Sequence, residues 1–60
     1  MNLTMAENKY HCYLRDRGFI GELPIADRNT SMKSPQGDWL LKDSQGHKIA
    51  VVSKDGKVIG

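Results

Sequence analysis

The first eighteen residues carry apolar side chains at helical spacing, which predicts an α-helix over about residues 5–17. Thr4 and Glu7 have the spacing of a capping box, in which each side chain bonds the other residue's backbone N–H at the helix N-terminus. Gly18 suits the left-handed position that ends a helix in a Schellman motif. The apolar positions that share one helical face are Ala6, Tyr10, Tyr13 and Leu14.

A strand is the rival interpretation of the same segment. Residues 10–14 also alternate in a two-residue period, and tyrosine favours sheets. Residues 15–18 would then form a hairpin loop leading into residues 19–23, and the fold would become an all-β small barrel. We favour the helix because its start, its apolar face and its end agree with one another.

The middle of the chain carries weaker signals. Residues 19–23 are typical of a short strand, which Pro24 restricts to an edge or an end. Residues 27–37 are rich in Asn, Thr, Ser, Pro, Gln and Gly, and they predict an irregular loop. Because compact domains have shorter connections, this loop is interpreted as mobile or as a binding loop.

Residues 38–60 predict a three-stranded antiparallel β-meander, with strands at 38–42, 47–54 and 57–60. Asp55 and Gly56 predict a two-residue hairpin turn, because glycine tolerates positive φ and aspartate is among the next best residues there. Residues 44–46 predict a three-residue loop with glycine in the left-handed position.

Those turns set a register and therefore two sheet faces. They pair Val52 with Ile59 and Leu41 with Ile49. Both faces come out apolar, whereas an antiparallel sheet with one solvated face is polar on that side. The predicted helix covers one face, and the other needs residues 19–25 or a second chain. The first face holds Trp39, Leu41, Ile49, Val51 and Val58, and the second holds Leu40, Ala50, Val52 and Ile59.

The fold class that follows is α+β, with an N-terminal helix packed on a small antiparallel sheet in a single domain of residues 1–60. Sixty residues lie near the lower limit for independent folding. Burial contributes about 87 kcal/mol, and ordering the chain costs about 90 kcal/mol. Because these terms cancel, a disulfide, a metal or a partner is expected to supply further stability.

The cysteine and histidine content favours a partner over the other two. Cys12 is the single cysteine, so no disulfide forms within the chain. His11 and Cys12 are adjacent and point apart, which leaves no set of zinc ligands with His47. No metal site and no cofactor motif is predicted. The unpaired cysteine, the absence of a signal-peptide pattern and apolar runs no longer than residues 49–52 favour a reducing cytoplasm without a membrane span.

No catalytic constellation is present. Cys12 with His47 is the one nucleophile–base pair that the composition allows, and Cys12 is better interpreted as a small buried hydrophobe. A chain of this size also lacks the bulk for a typical enzyme cleft. We therefore predict a non-enzymatic protein.

The first functional hypothesis is a protein-interaction module that acts as an adaptor, inhibitor or regulator by binding a larger protein, or a second copy of itself. Interface hot spots favour Trp, Tyr and Arg. Trp39 also suits a core anchor of the sheet, and the arginines also suit solvated positions. The candidate protein-binding residues are Tyr10, Tyr13, Arg15, Arg17, Arg28 and Trp39.

The second hypothesis is a small nucleic-acid-binding regulator that uses the basic hairpin turns of the sheet. The net charge of +2 neither requires nor excludes this partner. Lysines that protect exposed sheet edges are the competing interpretation. The candidate nucleic-acid-binding residues are Lys42, His47, Lys48, Lys54 and Lys57.

Overall fold

A computed structural model describes residues 1–60 as one helix packed on one antiparallel sheet. The elements are α1 (Leu3–Asp16), β1 (Met32–Lys33), β2 (Trp39–Lys42) and β3 (Lys48–Val52). The strand order is β1-β2-β3, and both pairings are antiparallel. This confirms the α+β class, and the sheet is open rather than a closed barrel.

Helix α1 begins two residues earlier than the sequence predicted, and its N-cap is Asn2. The Asn2 side chain accepts a hydrogen bond from the Met5 N–H at 2.9 Å. The capping box of Thr4 and Glu7 was therefore a wrong prediction. Asn2 is itself a strong N-cap residue, and the Glu7 carboxylate accepts a bond from the distant Ala26 N–H instead.

The helix ends in the Schellman motif that Gly18 predicts, although its last residue is Asp16 rather than Arg17. Gly18 has a φ of +82°. Its N–H donates to the Arg15 carbonyl, and the next N–H, of Phe19, donates to the Leu14 carbonyl, both at 2.9 Å. The strand interpretation of residues 10–14 is wrong, because these residues lie within the helix.

Strand β1 lies inside the segment that was predicted to be an irregular loop, whereas residues 19–23 form no strand. Asp27 orders this segment, because its carboxylate accepts bonds from the N–H groups of Asn29 and Thr30 at 3.0 and 3.1 Å. The Ser31 hydroxyl then accepts a bond from the Lys42 N–H at 3.0 Å. The β1–β2 pairing follows directly after this side-chain link.

Three five-residue turns follow one design, which is an internal repeat that the sequence analysis did not detect. They span residues 34–38, 43–47 and 53–57; each begins with Ser or Asp and has Gly in its fourth position. The first N–H donates to the fifth carbonyl at 2.7, 3.0 and 2.7 Å. The first side chain accepts a bond from the fifth N–H at 3.0, 2.8 and 3.1 Å. Turns 34–38 and 53–57 therefore lie at one end of the sheet and turn 43–47 at the other.

The register of β2 and β3 differs from the predicted one because of a β-bulge. Leu41 pairs with Ala50 and Lys42 with Lys48, so Ile49 is an additional residue on β3. The predicted pairing of Leu41 with Ile49 was therefore wrong by one residue. A slip of one residue exchanges the two faces of a strand, so Ala50 and Val52, rather than Val51, share a face with Leu41.

The last predicted strand is reduced to a single bridge between Val52 and Val58. The turn before it has three residues between its paired ends, since Ser53 pairs with Lys57. The predicted two-residue turn, with positive φ at Asp55, was wrong, and among these turn residues only Gly56 has a positive φ, at +88°. Val52 therefore pairs with Val58 instead of Ile59.

The core is small and lies between α1 and one face of the sheet. Leu41 and Val52 are its only large side chains that are fully buried. Tyr10, Trp39 and Val58 pack against its margin. The predicted cover of the second face by residues 19–25 was wrong, because this segment leaves Ile20 90% and Ile25 77% exposed. The five buried residues are Ala6, Ala26, Leu41, Ala50 and Val52.

We expect Asn2→Ala to lower the free energy of unfolding by about 1 kcal/mol, because it removes the side-chain acceptor at the helix N-terminus. Asn8→Ala is the matched control, because it makes the same change at an exposed position inside α1, where alanine has the higher helix propensity. Urea denaturation of both variants measures the difference. A larger loss for Asn8→Ala than for Asn2→Ala would contradict the assigned cap.

We expect Gly56→Val to destabilise the chain by about 1–2 kcal/mol or more, because a left-handed backbone is costly for residues with a Cβ. Gly60→Val is the control, since a Cβ at Gly60 would meet no atom within 4 Å. Thermal unfolding followed by circular dichroism compares the two variants. Equal melting temperatures would contradict the left-handed turn position.

Candidate functional site

An extended segment, residues 24–28, lies along α1 and is held to it by three polar contacts. Every second residue of the segment contacts every third or fourth residue of the helix. The residue numbers rise along the segment as they fall along the helix, so the two run antiparallel. We call this arrangement the helix clamp. Its contacts are His11 Nε2 to the Pro24 carbonyl at 2.6 Å, the Ala26 N–H to Glu7 Oε2 at 2.7 Å, and Arg28 Nη2 to Thr4 Oγ1 at 3.4 Å.

Arg28, one of the predicted protein-binding residues, is exposed and takes part in the helix clamp. Its guanidinium reaches back to the first turn of α1. Sequence reasoning missed the clamp, although Glu7 and His11 are four residues apart and therefore share a helical face. Nothing local indicated that an extended segment nineteen residues further along would supply the bond to Glu7.

Tyr10, Tyr13 and Arg17 form an aromatic–arginine surface on the second half of α1. The two tyrosine rings are stacked, with centroids 6.4 Å apart and an interplanar angle of 19°. The Arg17 guanidinium carbon lies 4.6 Å from the centroid of the Tyr13 ring, within cation–π range. The structure therefore brings together three of the predicted residues. Arg15 is exposed but is two residues from both Tyr13 and Arg17, so it points to the other side of the helix.

A groove of about 360 Å³ separates this part of α1 from the turn of residues 53–57. Tyr13 forms part of its wall, and Lys9 and Lys57 bring two ammonium groups to it against the one carboxylate of Asp16. The stem of Lys9 crosses the turn closely, since its Cε would lie 3.2 Å from a Cβ on Gly56. The groove residues are Lys9, Cys12, Tyr13, Asp16, Gly56, Lys57 and Val58.

Trp39 packs against the margin of the core rather than standing free. It is half-buried, and its indole Nε1–H donates to the Met1 carbonyl at 3.0 Å. The indole therefore ties the residues before α1 to the sheet, which is the core-anchor role that the sequence left open for this side chain.

The five basic residues of the nucleic-acid hypothesis are divided between the two ends of the sheet. Lys42, His47 and Lys48 surround the turn of residues 43–47, whereas Lys54 and Lys57 belong to the turn of residues 53–57. Four strand residues separate these ends by about 13 Å. The structure therefore does not form one basic cluster from them.

Cys12 and His47 are likewise far apart, because Cys12 lines the groove at one end of the sheet and His47 lies in the turn at the other. The prediction that Cys12 is buried was wrong, since its side chain is exposed on α1. No three side chains of His, Cys, Asp or Glu lie close enough to one another to hold a metal ion. No helix is long and apolar enough to cross a membrane.

Asp43 is the residue whose ionisation the structure most clearly alters. Its Oδ1 accepts hydrogen bonds from the backbone N–H groups of His47 at 2.8 Å and Gln45 at 2.9 Å. The His47 N–H is the largest cause that lowers the pKa of Asp43 below its ordinary value of 3.8, because the bond favours the charged form.

Comparisons with protein-family models, with curated proteins and with the solved structures found no match. The candidate surfaces therefore rest on the geometry described above.

We expect Asp43 to stabilise the fold above its ordinary pKa, and this contribution to disappear as the pH falls through the lowered pKa of the folded state. The gap in melting temperature between the wild type and Asp43→Ala should therefore narrow as the pH is lowered from about 5 to about 2. Asp55 provides the control, because it is exposed and its carboxylate accepts no hydrogen bond. The melting temperature of Asp55→Ala should therefore differ less from that of the wild type at every pH. A gap for Asp43→Ala that widens in acid would contradict the assigned bonds.

Proposed function

We propose that this chain is a small, non-enzymatic protein-interaction module that acts as an adaptor, inhibitor or regulator by binding an acidic segment of a larger protein. The groove between α1 and the turn of residues 53–57 is the binding site in this proposal. The observation that carries it is that Lys9, Lys57 and Tyr13 line one groove, with the Arg17 guanidinium over the Tyr13 ring.

The chemistry of the groove supports an acidic ligand with apolar or aromatic side chains. Tyr13 offers a flat apolar surface, and tyrosine and arginine are enriched among the residues that dominate binding energy. Stacking of Arg17 on Tyr13 holds both side chains in place before binding, which reduces the entropy that binding would cost. The two lysines attract carboxylates and increase the rate of encounter.

A protein partner has more support than a nucleic acid. Nucleic-acid binding gains affinity from each phosphate that a cation neutralises, whereas the predicted basic residues are divided between opposite ends of the sheet. Tyr13 lies across the groove from Lys57 but at the other end of the sheet from Lys42, His47 and Lys48. An acidic protein segment needs only the local charge of the groove.

We expect Lys57→Glu to abolish capture of the partner from a host lysate, or to raise its dissociation constant about tenfold or more, because a carboxylate would repel an acidic segment. Lys33→Glu is the matched control: it makes the same charge change on β1, at the opposite edge of the sheet. Capture followed by mass spectrometry identifies the partner, and fluorescence anisotropy measures both variants against it.

Equal capture by Lys57→Glu and Lys33→Glu would contradict the proposal, as would the absence of any captured protein that depends on Lys57. Binding to a short fluorescent single-stranded DNA separates the alternative, because such binding weakens steeply between about 50 and about 200 mM salt. Tight DNA binding with that salt dependence, and no captured protein, would favour the nucleic-acid role.

A further inference from the structure

The face of the sheet that turns away from α1 carries an uncovered apolar row that crosses every strand. Met32 pairs with Leu40, and Leu40 pairs with Val51. Ile59 continues the row, because its N–H donates to the Val51 carbonyl at 2.8 Å. We call these four residues the open-face row. None of them belongs to the core cluster under the helix. Met32 and Ile59 at the ends of the row are 57% and 63% exposed, and Leu40 and Val51 at its centre are half-buried.

No further helix or strand packs over the open-face row. Helix α1 packs on the opposite face of the sheet, where Leu41 and Val52 are fully buried. The helix clamp holds residues 24–28 along α1, which lies on that opposite face. An apolar row across a whole sheet is typical of a face that packs against another layer.

The surface area of the chain also indicates a missing layer. A compact monomer of 6.7 kDa is expected to expose about 3,900 Å², whereas this chain exposes 4258 Å². Its extents of 32 × 26 × 17 Å describe a thin slab. A second layer on the open face would cover part of this surface, and a standard interface buries about 800 Å² per partner.

Charges at the two ends of β2 favour a second copy as the missing layer. Asp38 lies in the turn before β2, two residues before Leu40, and its Oδ1 accepts a hydrogen bond from the Lys54 N–H at 3.0 Å, which leaves Oδ2 for a further partner. Lys42 lies two residues after Leu40, so strand alternation places it on the open face and directs Asp38 toward the same face. Lys42 confirms this, because its Nζ lies 3.9 Å from Sδ of Met32. A face-to-face dimer has its two-fold axis in the interface plane, either along the strands or along the row. An axis along the strands would place each charged residue opposite the same residue of the second copy, so like charges would face one another.

We propose that the open-face row is a homodimer interface whose two-fold axis runs along the row. This axis stacks the row of one copy on the row of the other and reverses the strand direction. Asp38 of each copy then faces Lys42 of the second copy, and the symmetric dimer contains this pair twice. The proposal is independent of the proposed function, because the groove lies on the helix side of the sheet.

Sedimentation equilibrium across a hundredfold range of concentration tests the interface. We expect the wild type to approach the mass of two chains, and Val51→Lys and Ile59→Lys to keep the mass of one chain throughout. Ile20→Lys is the matched control, because Ile20 is 90% exposed and lies outside the row, and it should associate as the wild type does. Circular dichroism verifies that each variant is folded, and Ile59→Lys, near the chain end, decides the test if Val51→Lys unfolds.

A charge-swap experiment tests the axis. Lys42→Glu and Asp38→Lys should each raise the dimer dissociation constant about tenfold, because each places like charges opposite one another. Mixing the two variants should restore a heterodimer, which native mass spectrometry detects from their different masses. A wild type that keeps the mass of one chain, or row variants that associate normally, would overturn the interface. A mixture without heterodimer would overturn the axis.

Discussion

The contact between the small side chain of Ala6 on α1 and the apolar face of the sheet is the interaction on which the fold depends. Only Leu41 and Val52 bring large, fully buried side chains to it. Burying a side chain of this size stabilises a fold by roughly 1.5–3 kcal/mol, so two such residues leave little reserve. The polar links from the helix to the rest of the chain therefore contribute a larger share of the free energy of folding than they would in a larger domain.

The helix clamp provides the main polar links. It uses Glu7 and His11 on one helical face to hold an extended segment, and that segment supplies Ala26 to the core. The Asp27 N–H then donates to the Lys42 carbonyl at 2.8 Å, which joins the clamp to the end of β2. These contacts thus connect the helix to the extended segment and the segment to the sheet. The Trp39 indole adds a bond from the sheet to the Met1 carbonyl, before α1 begins.

The single covering layer explains why two surfaces of the chain remain open. One layer of helix covers one face of the sheet, and the opposite face keeps the open-face row. The C-terminal half of α1 extends beside the turn of residues 53–57, where the groove opens. A chain that covered both surfaces would need a further layer, and the segment long enough to form one is committed to the helix clamp.

The sequence alone determined the features that depend on neighbouring residues. The amphipathic helix, its Schellman ending at Gly18 and the loop closed by Gly46 follow from local backbone chemistry, and the repeated pattern of Ser or Asp followed by Gly was readable in the same way. Of the candidate residues, Tyr10 and Tyr13 were predicted to share a helical face, whereas the contact of Arg17 with Tyr13 was not predicted.

The tertiary structure alone decided the features in which distant residues compete for one partner. Glu7 bonds Ala26 instead of capping the helix, and the bulge at Ile49 selects which apolar residues of β3 face α1. The division of the basic residues between two ends depends on the meander as a whole. Local propensities do not specify these choices, because each is settled by the packing of helix, extended segment and sheet against one another.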